Sequence, residues 1–145
     1  MIYSLLFLTL VKIYPFLNSN AYVYFLDVGQ GDSALFLTPF KKEAVLIDTG
    51  GKISYTKEEW EKRKNQVPLG KSIQTFINSL GIAKLDFLVL THGDYDHMGE
   101  AKYLIENLKI ERVLFNNGKY NDLEQDLIEI LKKKKIPFFQ NLNEL

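Results

Sequence analysis

Four side chains able to hold a metal ion fall within six residues: His92, Asp94, Asp96 and His97, in the run Thr91-His92-Gly93-Asp94-Tyr95-Asp96-His97. Imidazole nitrogen and carboxylate oxygen are the ligands that zinc and manganese take in proteins. Two such ions about 3.5–4 Å apart can share a water, lower its pKa and clamp a phosphoryl or carbonyl group. That chemistry needs ligands leaving a short backbone stretch in two directions. Positions 92 and 94 suit one ion and positions 96 and 97 the other, with Gly93 and Gly99 permitting the tight path. His92 and His97 are the only histidines, and there is no cysteine, so thiolate ligands and disulfides are both excluded. The plainer alternative is an Asp-rich turn with no ligand. Two histidines bracketing two aspartates directly after an apolar run weigh against it.

Such a loop must be held by rigid elements. Residues 85–90 form a nearly continuous apolar run, short enough for a strand buried on both faces. The loop would then leave the end of a buried strand, where function gathers in open α/β sheets. Residues 98–108 read as a helix, with Ala101, Leu104, Ile105 and Leu108 on one face. Upstream, residues 21–28, 33–38 and 44–48 read as three strands in antiparallel succession, with Gly29-Gln30-Gly31-Asp32 and Thr49-Gly50-Gly51 as turns. Gly29-Gln30-Gly31 is too short for a phosphate cradle and reads as a hairpin turn. Residues 72–80 have Ile73, Phe76, Ile77 and Leu80 at helical spacing, with Ser72 and Gly81 as caps. A strand at 112–115, a helix at 122–135 and a strand at 136–139 complete an α/β layered domain.

The remaining features are weaker. Lys132 to Lys135 complement the end of a helix or face solvent more readily than they touch phosphate. Tyr95 could stack on a substrate base or pack on the neighbouring helix. Residues 52–66 are highly charged around the single Trp60 and read as an exposed loop or short helix with no assignable role. The chain has 145 residues, 46% hydrophobic and 25% charged, with 18 basic and 18 acidic side chains. That is one ordinary folded domain, with no overall charge to draw it to nucleic acid. Residues 1–17 are apolar apart from Lys12 and a few small polar positions. They are slightly short of the roughly 20 residues needed to span a bilayer. They read as a membrane-helix end or anchor, so the chain divides into residues 1–19 and a domain at 20–145. A poor signal peptide and a segment packed on the core are the alternatives.

The metal loop resembles the His-x-His-x-Asp-His signature of the metallo-β-lactamase superfamily, with Asp94 where the second histidine usually stands. The resemblance implies an αββα sandwich. It implies that His92 and Asp94 bind the first metal and Asp96 and His97 the second. Asp96 would also orient the attacking water, and Asp48 would support the loop from beneath without being a ligand. The oxygen ligand Asp94 leaves zinc or manganese as the divalent pair.

Phe25 to Ser33 (FLDVGQGDS) and Val45 to Gly51 (VLIDTGG) precede LTHGDYDHMGE in that order. Together the three motifs resemble the soluble domain of the competence DNA-uptake channel family (ComEC-type). That family implies a nuclease acting on DNA beside the membrane, on its extracytoplasmic side. A hydrolase of esters or lactams is the nearest alternative. A complete domain of the superfamily has a second αβ layer supplying a bridging aspartate and more histidines, and no histidine follows His97 here. The resemblance therefore implies that only the first layer is present. The reading is then a truncated domain or one piece of a split one, with an apolar sheet face seeking its missing half, or a non-catalytic binding module.

Overall fold

A computed structural model describes residues 2–14, 17–51 and 67–140. Its centre is a six-stranded sheet in the order β1-β2-β3-β5-β7-β8. The strands are β1 (Tyr22–Phe25), β2 (Ala34–Leu37), β3 (Ala44–Ile47), β5 (Phe87–Leu90), β7 (Val113–Phe115) and β8 (Phe138–Phe139). The first two pairings, β1 with β2 and β2 with β3, are antiparallel hairpins. From β3 onward every neighbour is parallel, as helix-linked crossovers require. A short parallel pair, β4 (Lys84–Leu85) with β6 (Lys109–Ile110), lies outside that sheet. The helices are α1 (Ile2–Ile13), α2 (Leu69–Ser79), α3 (Tyr95–Met98), α4 (Ala101–Asn107) and α5 (Asp122–Lys134).

One sheet face carries Leu35, Leu37, Ala44, Leu46, Leu88, Leu90, Val113 and Phe115, all buried. Against them pack Ile73 and Ile77 of α2, Ala101, Leu104 and Ile105 of α4, and Leu127, Ile128 and Leu131 of α5. The period-2 alternation of each strand thus meets the 3.6-residue stripe of each helix. The other face is also apolar. Cross-strand register lines up Phe25, Ala34, Ile47, Val89, Leu114 and Phe139 in one row. Val23, Phe36, Val45 and Phe87 form a second row. None of these ten is buried, and Phe25 is 86% exposed. The expectation that residues 85–90 are buried on both faces is therefore corrected: Leu88 and Leu90 are buried, while Phe87 and Val89 are only half-buried.

Three element boundaries also differ from expectation. Residues 85–90 are not one strand, because Asp86 interrupts them. Its carboxylate accepts the Ala44 amide at 2.9 Å and the Lys84 ammonium at 2.8 Å. Helix α2 begins at Leu69 behind Pro68, and Ser72 lies inside it rather than capping it. The helix expected at 98–108 is two pieces, with α3 starting within the 91–97 loop itself. Gly81 ends α2 as expected, at φ +76. The expected element at 52–66, with Trp60, lies outside the described residues.

Partial burial by itself would push the Asp86 carboxyl up. The Lys84 ammonium and the Ala44 amide, with Arg112 beyond, outweigh it and hold the carboxyl below its ordinary value of 3.8. A depressed folded value gives stability that is present above the ordinary value and lost as pH falls through the folded one. Asp86→Asn is expected to cost about 1 kcal/mol at neutral pH. Chemical denaturation should show the difference shrinking once the pH drops below the carboxylate range.

Helix α1 is exposed along the residues whose side chains are described. At 12 residues it is about 18 Å long against a hydrocarbon core of about 30 Å. Among the described residues no helix is long and apolar enough to cross a membrane.

Candidate metal centre

The three parallel strands β3, β5 and β7 end side by side, and each delivers polar residues to the same rim: Asp48 after β3, Thr91 and His92 after β5, Asn116 after β7. The chain turns sharply after β3. Asp48 has φ +54, a left-handed conformation that aspartate tolerates better than most residues. Its amide donates to the Val89 carbonyl and its carbonyl accepts the Ser33 hydroxyl at 2.9 Å. The side chain, 4% exposed, is thereby fixed beneath the loop.

There the Asp48 carboxylate gathers three donors. Oδ1 accepts the Thr91 amide at 2.8 Å. Oδ2 accepts the Thr91 hydroxyl at 2.6 Å and faces His97 Nδ1 at 3.0 Å. An ionised carboxylate only accepts, so His97 carries its proton on Nδ1 and leaves Nε2 free. The Thr91 hydroxyl has spent its one hydrogen on Asp48. Its oxygen therefore accepts from His92 Nδ1, 3.0 Å away, and His92 also leaves Nε2 free. One buried carboxylate thus sets both imidazole tautomers, directly for His97 and through Thr91 for His92.

The free nitrogens face carboxylates. His92 Nε2 lies 3.8 Å from Asp94 Oδ2, and His97 Nε2 lies 3.9 Å from Asp96 Oδ2. The imidazole centroids are 3.6 Å apart. Among the described residues no lysine or arginine forms an ion pair with Asp94 or Asp96. Two carboxylates facing two ring nitrogens whose other nitrogen is already engaged form a donor set that fits divalent cations. Asp48, His92 and His97 also form a group whose ligand atoms lie within 4.8 Å of one another. Because the Asp48 oxygens are already engaged by Thr91 and His97, its geometry is that of a support for the imidazoles.

The loop is clamped from outside as well. Thr49 is fully buried, and its amide and hydroxyl both reach the His97 carbonyl, at 2.6 and 3.1 Å. A Cβ on Gly31 would collide with the Asp96 carbonyl, and one on Gly51 with the Tyr95 carbonyl. The first turn, read from sequence as a plain hairpin connection, therefore presses its backbone onto the loop. Across the loop, the Asn121 amide donates to the Gly93 carbonyl at 2.6 Å. Thr91, Thr49, Gly31 and Asn121 were not singled out from sequence. The hydroxyl of Thr91 beside His92 was the one available signal.

Tyr95 is 43% exposed, and its ring runs along Gly99. Lys132, Lys133 and Lys134 occupy the last turn of α5. Its first turn meets the loop, so these lysines sit about 20 Å away along the helix axis.

The metallo-β-lactamase superfamily model matches residues 26–142, which include every residue of the loop and its supports. ComE operon protein 3 of Bacillus subtilis (strain 168) is 42% identical over 110 residues, covering 75% of this chain. The match spans only 14% of that relative's own length. The mixed sheet, its helices and the loop at the strand ends agree with the match, and the chain belongs to the metallo-β-lactamase superfamily.

Proposed function

We propose that this chain is a metal-dependent hydrolase domain that cuts phosphodiester bonds of DNA in competence. His92 and Asp94 would hold one divalent ion, zinc or manganese, and Asp96 and His97 a second. The observation that carries the reading is the arrangement of two Nε2 atoms, each facing a carboxylate, above one buried aspartate. When bound, the ions would supply an activated water and neutralise charge developing on the phosphate. Asp48 and Thr91 would hold the Nδ1 side of each ring and so turn both Nε2 atoms toward the metals. Asp96 would also orient the attacking water. The DNA substrate rests on the three-motif resemblance and the competence-operon relative.

Asp96→Ala is expected to lower hydrolysis of single- and double-stranded DNA by at least about 100-fold. Unchanged cleavage in that variant would end the two-metal reading. Turnover of ester or lactam substrates instead of DNA would favour another hydrolase of the same superfamily.

A second reading concerns completeness. The ten apolar residues on the outer sheet face support a further αβ layer covering it, from the same polypeptide or a separate one, that contributes additional ligands. On that reading the 20–145 domain is half of a sandwich, a partial site or binding module by itself. The exposed apolar face of α1 would hold it at a membrane surface, on the extracytoplasmic side.

A further inference from the structure

The first residue before α5 makes bonds in two directions. Asn121 caps the helix: its Oδ1 accepts the Glu124 amide at 2.9 Å, and its own amide donates to Glu124 Oε2 at 2.8 Å. Glu124 is 2% exposed and takes a further bond from Asn116 at the end of β7. The cap is therefore tied to the sheet as well as to the helix. The remaining group, Nδ2, points away from α5 and reaches the Gly93 carbonyl at 2.6 Å. Gly93 lies between His92 and Asp94, and a Cβ there would strike Asn121 Nδ2 and Glu124 Oε2. The loop backbone and the cap are in direct contact.

A helix cap requires only the side-chain oxygen, which serine, threonine or aspartate supplies equally well. The bond to Gly93 requires the amide nitrogen, which only asparagine offers at that length. Helix α5 is anchored by Leu127, Ile128 and Leu131 in the core, so whatever it grips is held to a rigid body. We propose that Asn121 is a positioning residue of the metal loop, whose amide fixes the Gly93 carbonyl and so sets the spacing of His92 and Asp94.

This inference rests on the metal-site reading for its consequence but not for its geometry, and the test separates the two. Asn121→Ser keeps the cap and removes the tether. In the full chain without metal, hydrogen exchange at the amides of residues 92–94 is expected to accelerate at least about 10-fold. The thermal midpoint and exchange along α5 should stay close to wild type. Zinc and manganese affinity, measured by chelator competition, is expected to fall roughly 10–100-fold. Asn121→Ala, which loses cap and tether together, should add a stability loss that the serine variant does not show. Loop exchange at the wild-type rate in Asn121→Ser would overturn the inference. So would wild-type metal affinity accompanied by faster exchange, since the tether would then not set ligand spacing. Faster exchange with no metal bound by either protein would uphold the tether and overturn the metal-site reading instead.

Discussion

Asp48→Asn is expected to cut divalent-metal affinity by roughly 10–100-fold, the range for groups that orient metal-ligating histidines. Asparagine tolerates the left-handed backbone at this position, so the turn after β3 should survive. The hydrogen bonds do not. The carboxylate accepts from the Thr91 amide, the Thr91 hydroxyl and His97 Nδ1. An amide has one oxygen, and its nitrogen donates. At least one of the three donors would face another donor inside a site that is 4% exposed at this residue. If that donor is His97 Nδ1, the proton moves to Nε2, the nitrogen proposed to bind metal. If it is Thr91, the hydroxyl turns and His92 loses its fixed tautomer. The stability cost should be about 1–3 kcal/mol, that of an unsatisfied buried polar group. Calorimetric titration with zinc, beside a denaturant melt of the metal-free chain, reads both effects. An affinity equal to wild type would show that Asp48 does not set the imidazoles.

Gly31→Ala should have the larger effect on folding, about 2–4 kcal/mol, because strain and collision act together. Gly31 sits at φ +78, and a Cβ there meets the backbone of Asp96, which cannot swing aside as a side chain can. Relief would require the first hairpin turn to lift off the loop, or the loop to move away from Thr49 and Asp48. Gly29→Ala is the internal control. That residue has nearly the same dihedral, φ +73, with nothing within 4 Å of the added carbon. It should cost only the strain, about 1 kcal/mol. The difference between the variants therefore isolates the contact of turn and loop. Equal losses in both would mean that the turn does not brace the site.

These two sites mark what the sequence made legible and what it did not. Local pattern sufficed for the hairpins, for α2 and α5, and for placing His92, Asp94, Asp96 and His97 together after a strand, because period and spacing are local. The brace contributed by Gly31 was invisible because it spans 65 positions, from residue 31 to residue 96. The role of Asn121 was hidden for the same reason. Its oxygen makes a local cap, while its nitrogen makes the long-range bond to Gly93. The break at Asp86 was missed because an apolar run reads as one strand until the partner of its charged residue is known. Here that partner is the amide opening β3. The half-burial of Phe87 and Val89 depends on what covers the outer face, which the strand's own pattern does not encode.

On the proposed function, the loop binds metal through His92, Asp94, Asp96 and His97. Metal content per chain, by elemental analysis of the full protein after dialysis against zinc or manganese, tests it most directly. About two ions per chain are expected in the wild type, with loss of both on joint replacement of His92 and His97 by alanine. No bound metal in the wild type, or metal retained without the two histidines, would contradict it.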